Sequence, residues 1–232
     1  MLTSTFVHLA GIGPATERRL WQHGIRDWST FLRESTLPGI SAPRKALYDA
    51  QLLAAQDHLD RRNAVYIADC LHSRDHWRLY RTFGARALYL DIETTGISAQ
   101  EGQVTIVGLY RNGRMSTLIR GESLSQERLQ EELDRSDLLV TFFGSVFDIP
   151  FLQNQFRGLR VSIPHFDLCF ASRRLGLQGG LKHLEQELDI PRAPDLREMD
   201  GWEAVRLWFQ YRTGDEAALD RLVRHNTADT RN

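Results

Sequence analysis

Lysine is nearly missing from this chain: Lys45 and Lys182 are the only two among 29 basic residues, and arginine supplies the rest. Arginine suits bidentate phosphate contacts, although a genome-wide compositional bias gives the same count. Cysteine is scarce as well. Cys70 and Cys169 lie far apart and form no CxxC pair, which argues against zinc and against a disulfide framework. No apolar run is long enough to cross a bilayer, so no membrane partner is expected. The opening stretch MLTSTFVHLAGIG has no basic segment leading into an apolar one. A cytoplasmic protein without a secretory leader is the expectation. Low-complexity segments are absent, and no protein partner can be read.

What remains is ordinary in bulk and uneven in distribution. Hydrophobic residues at 42% and charged residues at 25% of 232 suffice for a real core, as one large domain or a small one beside a medium one. The net charge of −1 hides a split. Residues 1–85 hold 11 basic against 8 acidic residues, whereas residues 86–232 hold 18 against 22. A basic front end therefore precedes an acidic remainder.

Apolar spacing divides the chain in the same place. PATERRLWQHG and APRKALYDAQLLAAQDHLDRRN carry apolar residues at helical intervals, and strand-like alternation starts only at residue 87. ALYLDIE, QVTIVGLY and RMSTLIR then read as three strands, the last two joined by RNGR, whose Asn112-Gly113 pair is a strong hairpin signal. A helix in SLSQERLQEELDR, started by Ser123 or Ser125, leads to a fourth strand, DLLVTFF. VFDIPFLQNQF reads as a helix with Pro150 near its first turn. A short strand around VSIPHFDLCF precedes helices in GGLKHLEQEL, GWEAVRLWFQYRTG and DEAALDRLVRHNTADT. Trp202, Trp208, Phe209 and Tyr211 are expected in the core rather than as a platform for stacking bases. The implied domains are 1–80, small and all-α, and 81–232, a mixed sheet flanked by helices, which matches the ribonuclease H-like fold.

Asp91 and Glu93 sit two apart on the first strand and so share one face. Burying unpaired carboxylates is costly, unless a divalent cation neutralises them. Two such cations ~3.5–4 Å apart can activate water and stabilise a leaving oxygen, which calls for about four acids from separate elements. Asp148, at a strand-to-helix junction, and Asp229, on the last helix, are the further candidates. His225 stands one turn before Asp229 on the same face. Asp167 is read as a structural acid, and Lys182 and Arg173 as solvated bases that could touch phosphate.

LYLDIETTG, FFGSVFDIPFL, HFDLCFASRRL and RHNTADTRN resemble, in that order, the motifs of the DEDD (DnaQ-like) exonuclease superfamily. Within it the likeness is to the RNase H-like domain of YprB-type bacterial proteins, over roughly residues 77–232. The resemblance implies that Asp91, Glu93, Asp148 and Asp229 bind two Mg²⁺ or Mn²⁺ ions for hydrolysis of the terminal phosphodiester, usually from the 3′ end. It also implies that His225 positions the attacking water. Two departures stand out. Phe143 and Gly144 occupy the place where relatives often carry Asn, and His225 has the spacing that one branch gives to Tyr.

FVHLAGIGPATERRLWQHGI resembles a helix-hairpin-helix motif, in which a Gly11-Ile12-Gly13 turn would aim backbone amides at a phosphate. Arg18 and Arg19 would add charge. Leu37, Gly39 and Ile40 echo Leu9, Gly11 and Ile12, with Ser41 in place of the second glycine. The expected function is a metal-dependent 3′→5′ exonuclease acting on DNA or RNA. Two alternatives stay open: a nucleic-acid-binding module with little or no activity, and a structure-specific endonuclease.

Overall fold

Helical periodicity before residue 80 and strand alternation from residue 87 sort the chain into two architectures. The structure, a computed structural model, describes residues 2–232. It divides into two units, Met1–Ala85 and Arg86–Asn232.

The first unit is helical: α1 (Pro14–Gln22), α2 (Trp28–Arg33), α3 (Ala42–Asp60), α4 (Ala64–Asp69) and α5 (Tyr80–Phe83), with 3₁₀ turns at Leu2–Ser4 and Ser73–Leu79. The helices start where the local chemistry allows. Pro14 opens α1, the Asp27 side chain accepts from Thr30 N–H at 2.8 Å to cap α2, and Asn63 caps α4. Phe6, Leu9, Leu20, Trp28, Phe31, Tyr48 and Leu52 are buried together. Each large apolar side chain so buried contributes roughly 1.5–3 kcal/mol. A buried ion pair locks this unit. Glu17 accepts from Phe6 N–H at 2.7 Å and from Arg78 at 2.9 Å, and Arg78 also reaches Asp75.

Two similar turns lead into α1 and α3. Ile12 N–H donates to Leu9 C=O at 2.9 Å, and Ile40 N–H to Leu37 C=O at 3.2 Å. Gly11 and Gly39 hold the left-handed position in these turns, at φ 86° and 72°.

The second unit holds a five-stranded sheet in the order β3-β2-β1-β4-β5. Its strands are β1 (Ala87–Thr94), β2 (Val104–Arg111), β3 (Arg114–Ile119), β4 (Leu138–Thr141) and β5 (His165–Asp167). The first three are antiparallel, while β4 and β5 run parallel to β1. Asn112 and Gly113 both take positive φ, which closes the β2–β3 hairpin with Arg111 opposite Arg114. The helices are α6 (Gln126–Asp134), α7 (Asp148–Gln155), α8 (Leu168–Arg174), α9 (Leu181–Glu187), α10 (Gly201–Arg212) and α11 (Glu216–Arg231). A 3₁₀ turn at Pro194–Leu196 precedes α10.

Strand alternation puts Leu88, Leu90, Ile92, Val107 and Leu109 into one core layer with α6 and α7 residues. Ile106 faces the other way, into a layer with Leu207, Trp208, Ala218 and Leu222 of α10 and α11. Asp91 and Glu93 point to this second side. Phe209 is 56% exposed and Trp202 68%, so the expectation of four core aromatics on this helix fails for two of them. Trp202 stands in the first turn of α10, which overhangs a cleft rather than the sheet. No helix among the described residues is long and apolar enough to cross a membrane.

Candidate metal centre

The geometry begins with β1. Its pairing with β4 ends at Tyr89, so farther along the strand Ile92 N–H is free of a ladder partner on that side. Asp148, the first residue of α7, fills the place: its Oδ1 accepts from Ile92 N–H at 3.1 Å. The second acid-bearing element is thereby tied to the strand that carries the first pair. On the other flank, the β1–β2 register slips by one between Glu93 and Thr94, which leaves Thr105 without an opposite number. Bulges of this kind re-aim side chains beside functional sites.

Helix α11 brings the remaining groups. Asn226 donates through Nδ2 to Asp91 Oδ2 at 2.9 Å and to Asp91 C=O at 3.2 Å. The helix comes this near because Gly108, paired with Asp91 across β2, has no side chain: a Cβ there would overlap Thr230 Oγ1 and Asn226 Oδ1. One turn along, Asp229 Oδ2 lies 3.2 Å from His225 Nδ1, and Glu93 Oε1 lies 3.8 Å from the same nitrogen. Glu93, His225 and Asp229 each offer a ligand atom, all within 4.8 Å of one another.

These groups line a cleft of about 390 Å³, bounded also by Asp91, Lys182, Ile97, Trp202 and Val205. Asp148 stands behind it, nearly fully buried. Lys182 Nζ lies 3.4 Å from His225 Nε2. A buried ionic chain holds the far side. Arg192 pairs with Glu185 at 2.6 and 2.7 Å and with Asp229, while Asn232 donates to Glu185 at 3.0 Å.

The charges do not balance. Burial, then the negative charges of Asp229, Asp148 and Glu93, pushes Asp91 well above the usual carboxylate range. Burial likewise raises Glu93 to about 7, against the pull of His225, and Asp148 to about 7, against the amides it accepts from. Asp229 is the exception: His225 and Arg192 outweigh its burial and hold it low. Burial disfavours the charged His225 imidazole, but Asp229 and Glu93 more than offset that, and it ends above its ordinary value. The imidazole is 4% exposed, and its Nδ1 has no aligned hydrogen-bond partner. Mostly hard oxygen donors with excess negative charge, and one nitrogen aimed among them, fit a divalent cation such as Mg²⁺ or Mn²⁺.

The structure therefore brings Asp91, Glu93, Asp148, His225 and Asp229 into one centre. Asp167 lies outside it and braces the loop before α7, accepting from Phe143 N–H at 2.9 Å and Ser145 Oγ at 2.6 Å. That loop contains Phe143 at φ 66°. Sequence reading missed Asn226, Glu185 and Arg192. The 226, 229, 230 spacing on one helical face would have exposed Asn226, but nothing in the sequence marks the ion pair of Arg192.

The basic front-end residues have their own geometry. Gly13 is the N-cap of α1 and Gly11 sits in the turn before it. Arg18 is exposed and lines a separate hollow with Trp21 and Arg26. The Arg19 guanidinium lies 3.0 Å from where a Gly39 Cβ would stand, over the second turn. Arg44 is placed the same way over Gly11, at 3.4 Å.

Residues 88–232 match the family described as the RNase H superfamily. Among solved structures, the family B DNA polymerase of the hyperthermophilic archaeon Pyrobaculum calidifontis aligns over 62% of this chain and 23% of its own, with 14% identity and a TM-score of 0.51. Brucella melitensis NrnC aligns over 62% of this chain and 66% of its own, with 20% identity and a TM-score of 0.45. A second NrnC structure, with bound Mg²⁺, gives 21% identity and a TM-score of 0.38 over 62% of this chain and 78% of its own. The chain thus spans about a quarter of the polymerase, and the likeness is one of fold. No curated protein gives a significant match.

Proposed function

The chain belongs to the RNase H superfamily, and from that premise we propose that it is a metal-dependent nuclease of the DEDD type. It removes nucleotides from the 3′ end of DNA or RNA with the help of two divalent ions, Mg²⁺ or Mn²⁺. One observation carries this reading: Asp91, Glu93 and Asp229 line one cleft with an imidazole, Asp148 is buried behind it, and burial pushes three of these four acids upward with no cation to complete their charge. Asp91, Glu93, Asp148 and Asp229 would hold the ions. When bound, the cations supply positive charge that neutralises these acids and polarises water and phosphate.

The chain's own residues do the rest. Asn226 fixes the Asp91 carboxylate by binding one of its oxygens, leaving the other free. Arg192 holds Asp229 from behind. In hydrolysis the water oxygen bonds to phosphorus as the bond to the 3′ oxygen breaks. Bound cations would oppose the imidazolium charge that Asp229 and Glu93 favour, and the neutral His225 would then accept the water proton. Ile97 and Trp202, both exposed, form part of the cleft wall.

The front end belongs to the same reading. Gly11, Gly13, Arg18 and Arg19, in a helix-hairpin-helix-like turn, hold the nucleic-acid backbone without regard to sequence. The matching turn at Leu37–Ile40 and the reciprocal placement of Arg19 and Arg44 support it. A cytoplasmic setting agrees with two free cysteines, one of them exposed.

End-labelled single- and double-stranded DNA and RNA, incubated with Mn²⁺ or with EDTA, test the proposal. Stepwise shortening from the 3′ end that requires Mn²⁺ is expected. Full activity in EDTA overturns the reading, and internal cleavage would make the protein an endonuclease instead.

A further inference from the structure

Lys182 is the one lysine of the second unit, and its position is built rather than incidental. It lies on α9 three residues before Glu185, so the two share a helical face. Glu185 is buried and gripped by Arg192 and Asn232, and Arg192 grips Asp229 of α11. This buried chain ties α9 to the helix that carries Asp229 and His225. Lys182 then projects over the centre, half-buried in the cleft wall, with its ammonium 3.4 Å from His225 Nε2.

An ammonium at the rim of an acidic cleft is a point charge with three rotatable donors. Its neighbour in the cleft is His225, the residue to which the nuclease reading gives the water proton. We propose that Lys182 is a further catalytic residue, which donates to a non-bridging oxygen of the scissile phosphate as that oxygen gains charge. This rests on the nuclease reading above. No bond to Lys182 forms or breaks, and its proton stays on nitrogen.

Two readouts on the full chain separate this inference from the reading beneath it. The first is calorimetric binding of thymidine 5′-monophosphate in Mn²⁺. Lys182→Met should weaken it about 10–100-fold, the scale of one hydrogen bond to a charged group, and Lys182→Arg should recover most of the loss. Affinity for Mn²⁺ alone should be kept or tightened, since a cation next to the site has gone. The second is single-turnover cleavage of a short oligonucleotide. Lys182→Met should slow it by about 10²-fold, as for loss of one donor to a developing oxyanion. Mononucleotide affinity within threefold of wild type in Lys182→Met overturns the contact, and so does a loss that merely parallels loss of Mn²⁺ binding. A wild type that binds the mononucleotide through Lys182 but cleaves no nucleic acid confirms the contact and overturns the nuclease reading.

Discussion

Both units bury carboxylates, and they treat them in opposite ways. Glu17 of the first unit is 1% exposed, yet it accepts from two backbone amides and from Arg78. Its charge is spent on holding the N-terminal segment against α1. Asp91, Glu93 and Asp148 of the second unit are packed against one another with few donors, and each is pushed upward by burial. Burial of an acid is thus no sign of function. The informative difference is whether the surroundings complete its charge, because natural proteins pair or hydrogen-bond buried charges wherever only structure is at stake.

The contrast is broken most directly by deletion. Asp91→Ala should lower Mn²⁺-dependent cleavage by about 10³-fold or more, several kcal/mol of charge stabilisation at the reacting phosphate. The same variant should melt no lower than wild type in EDTA, since a destabilised carboxylate has been removed. A loss of melting temperature with activity kept would place Asp91 with Glu17 as a structural acid. His225→Ala should slow single-turnover cleavage by about 10²–10⁴-fold with Mn²⁺ binding largely intact. A rate within threefold of wild type would leave the imidazole no catalytic role.

The converse deletion tests the first unit. Glu17→Ala leaves Arg78 buried with a poorer partner, which should cost roughly 3–5 kcal/mol of stability. Denaturant midpoints read this loss, and cleavage by the folded fraction of molecules should be unchanged.

Acid–base behaviour sharpens the comparison further. Glu93 and Asp148 titrate near 7 when folded and near the ordinary carboxylate range when unfolded. The folded state therefore binds their protons more tightly. The stabilisation this gives is complete below about pH 4 and disappears as pH rises through 7. In EDTA the melting temperature should fall between pH 5.5 and pH 8. Mn²⁺ at a hundred times its dissociation constant should restore about 2.7 kcal/mol at pH 8, or roughly 5–10 °C. A melting temperature indifferent to both pH and Mn²⁺ would mean that the cluster is not frustrated. The smallest effect is expected at the front end, where Arg19→Ala and Arg44→Ala should each reduce the salt slope of nucleic-acid binding by about one.

Much of this was legible before the structure. Asp91 and Glu93 share a face because strand geometry has period two, and the Asn112-Gly113 turn marked the hairpin of β2 with β3. Ser125, the second of the two serines considered, caps α6. Helix, strand and cap signals are local, and local signals survive in one dimension. Trp202 and Phe209 misled because helical spacing says which residues align, not which side of the helix the sheet lies on. Glu185, Arg192 and Asp229 come together through tertiary packing of segments with no shared periodicity, so no spacing rule could join them.

The bare backbone of Gly108 has a consequence for motion. Its missing side chain lets Asn226 and Thr230 rest directly on β2, so the helix bearing His225 and Asp229 is wedged against a strand that contributes none of the acids. A helix seated on a strand without an intervening side chain cannot slide along the sheet or lift by a fraction of an ångström. It can only undock. In hydrogen–deuterium exchange, the amides of β2 around Gly108 and those of α11 around Asn226 should therefore open together as one cooperative unit. The candidate centre would then exist whole or not at all, with no half-assembled form in between.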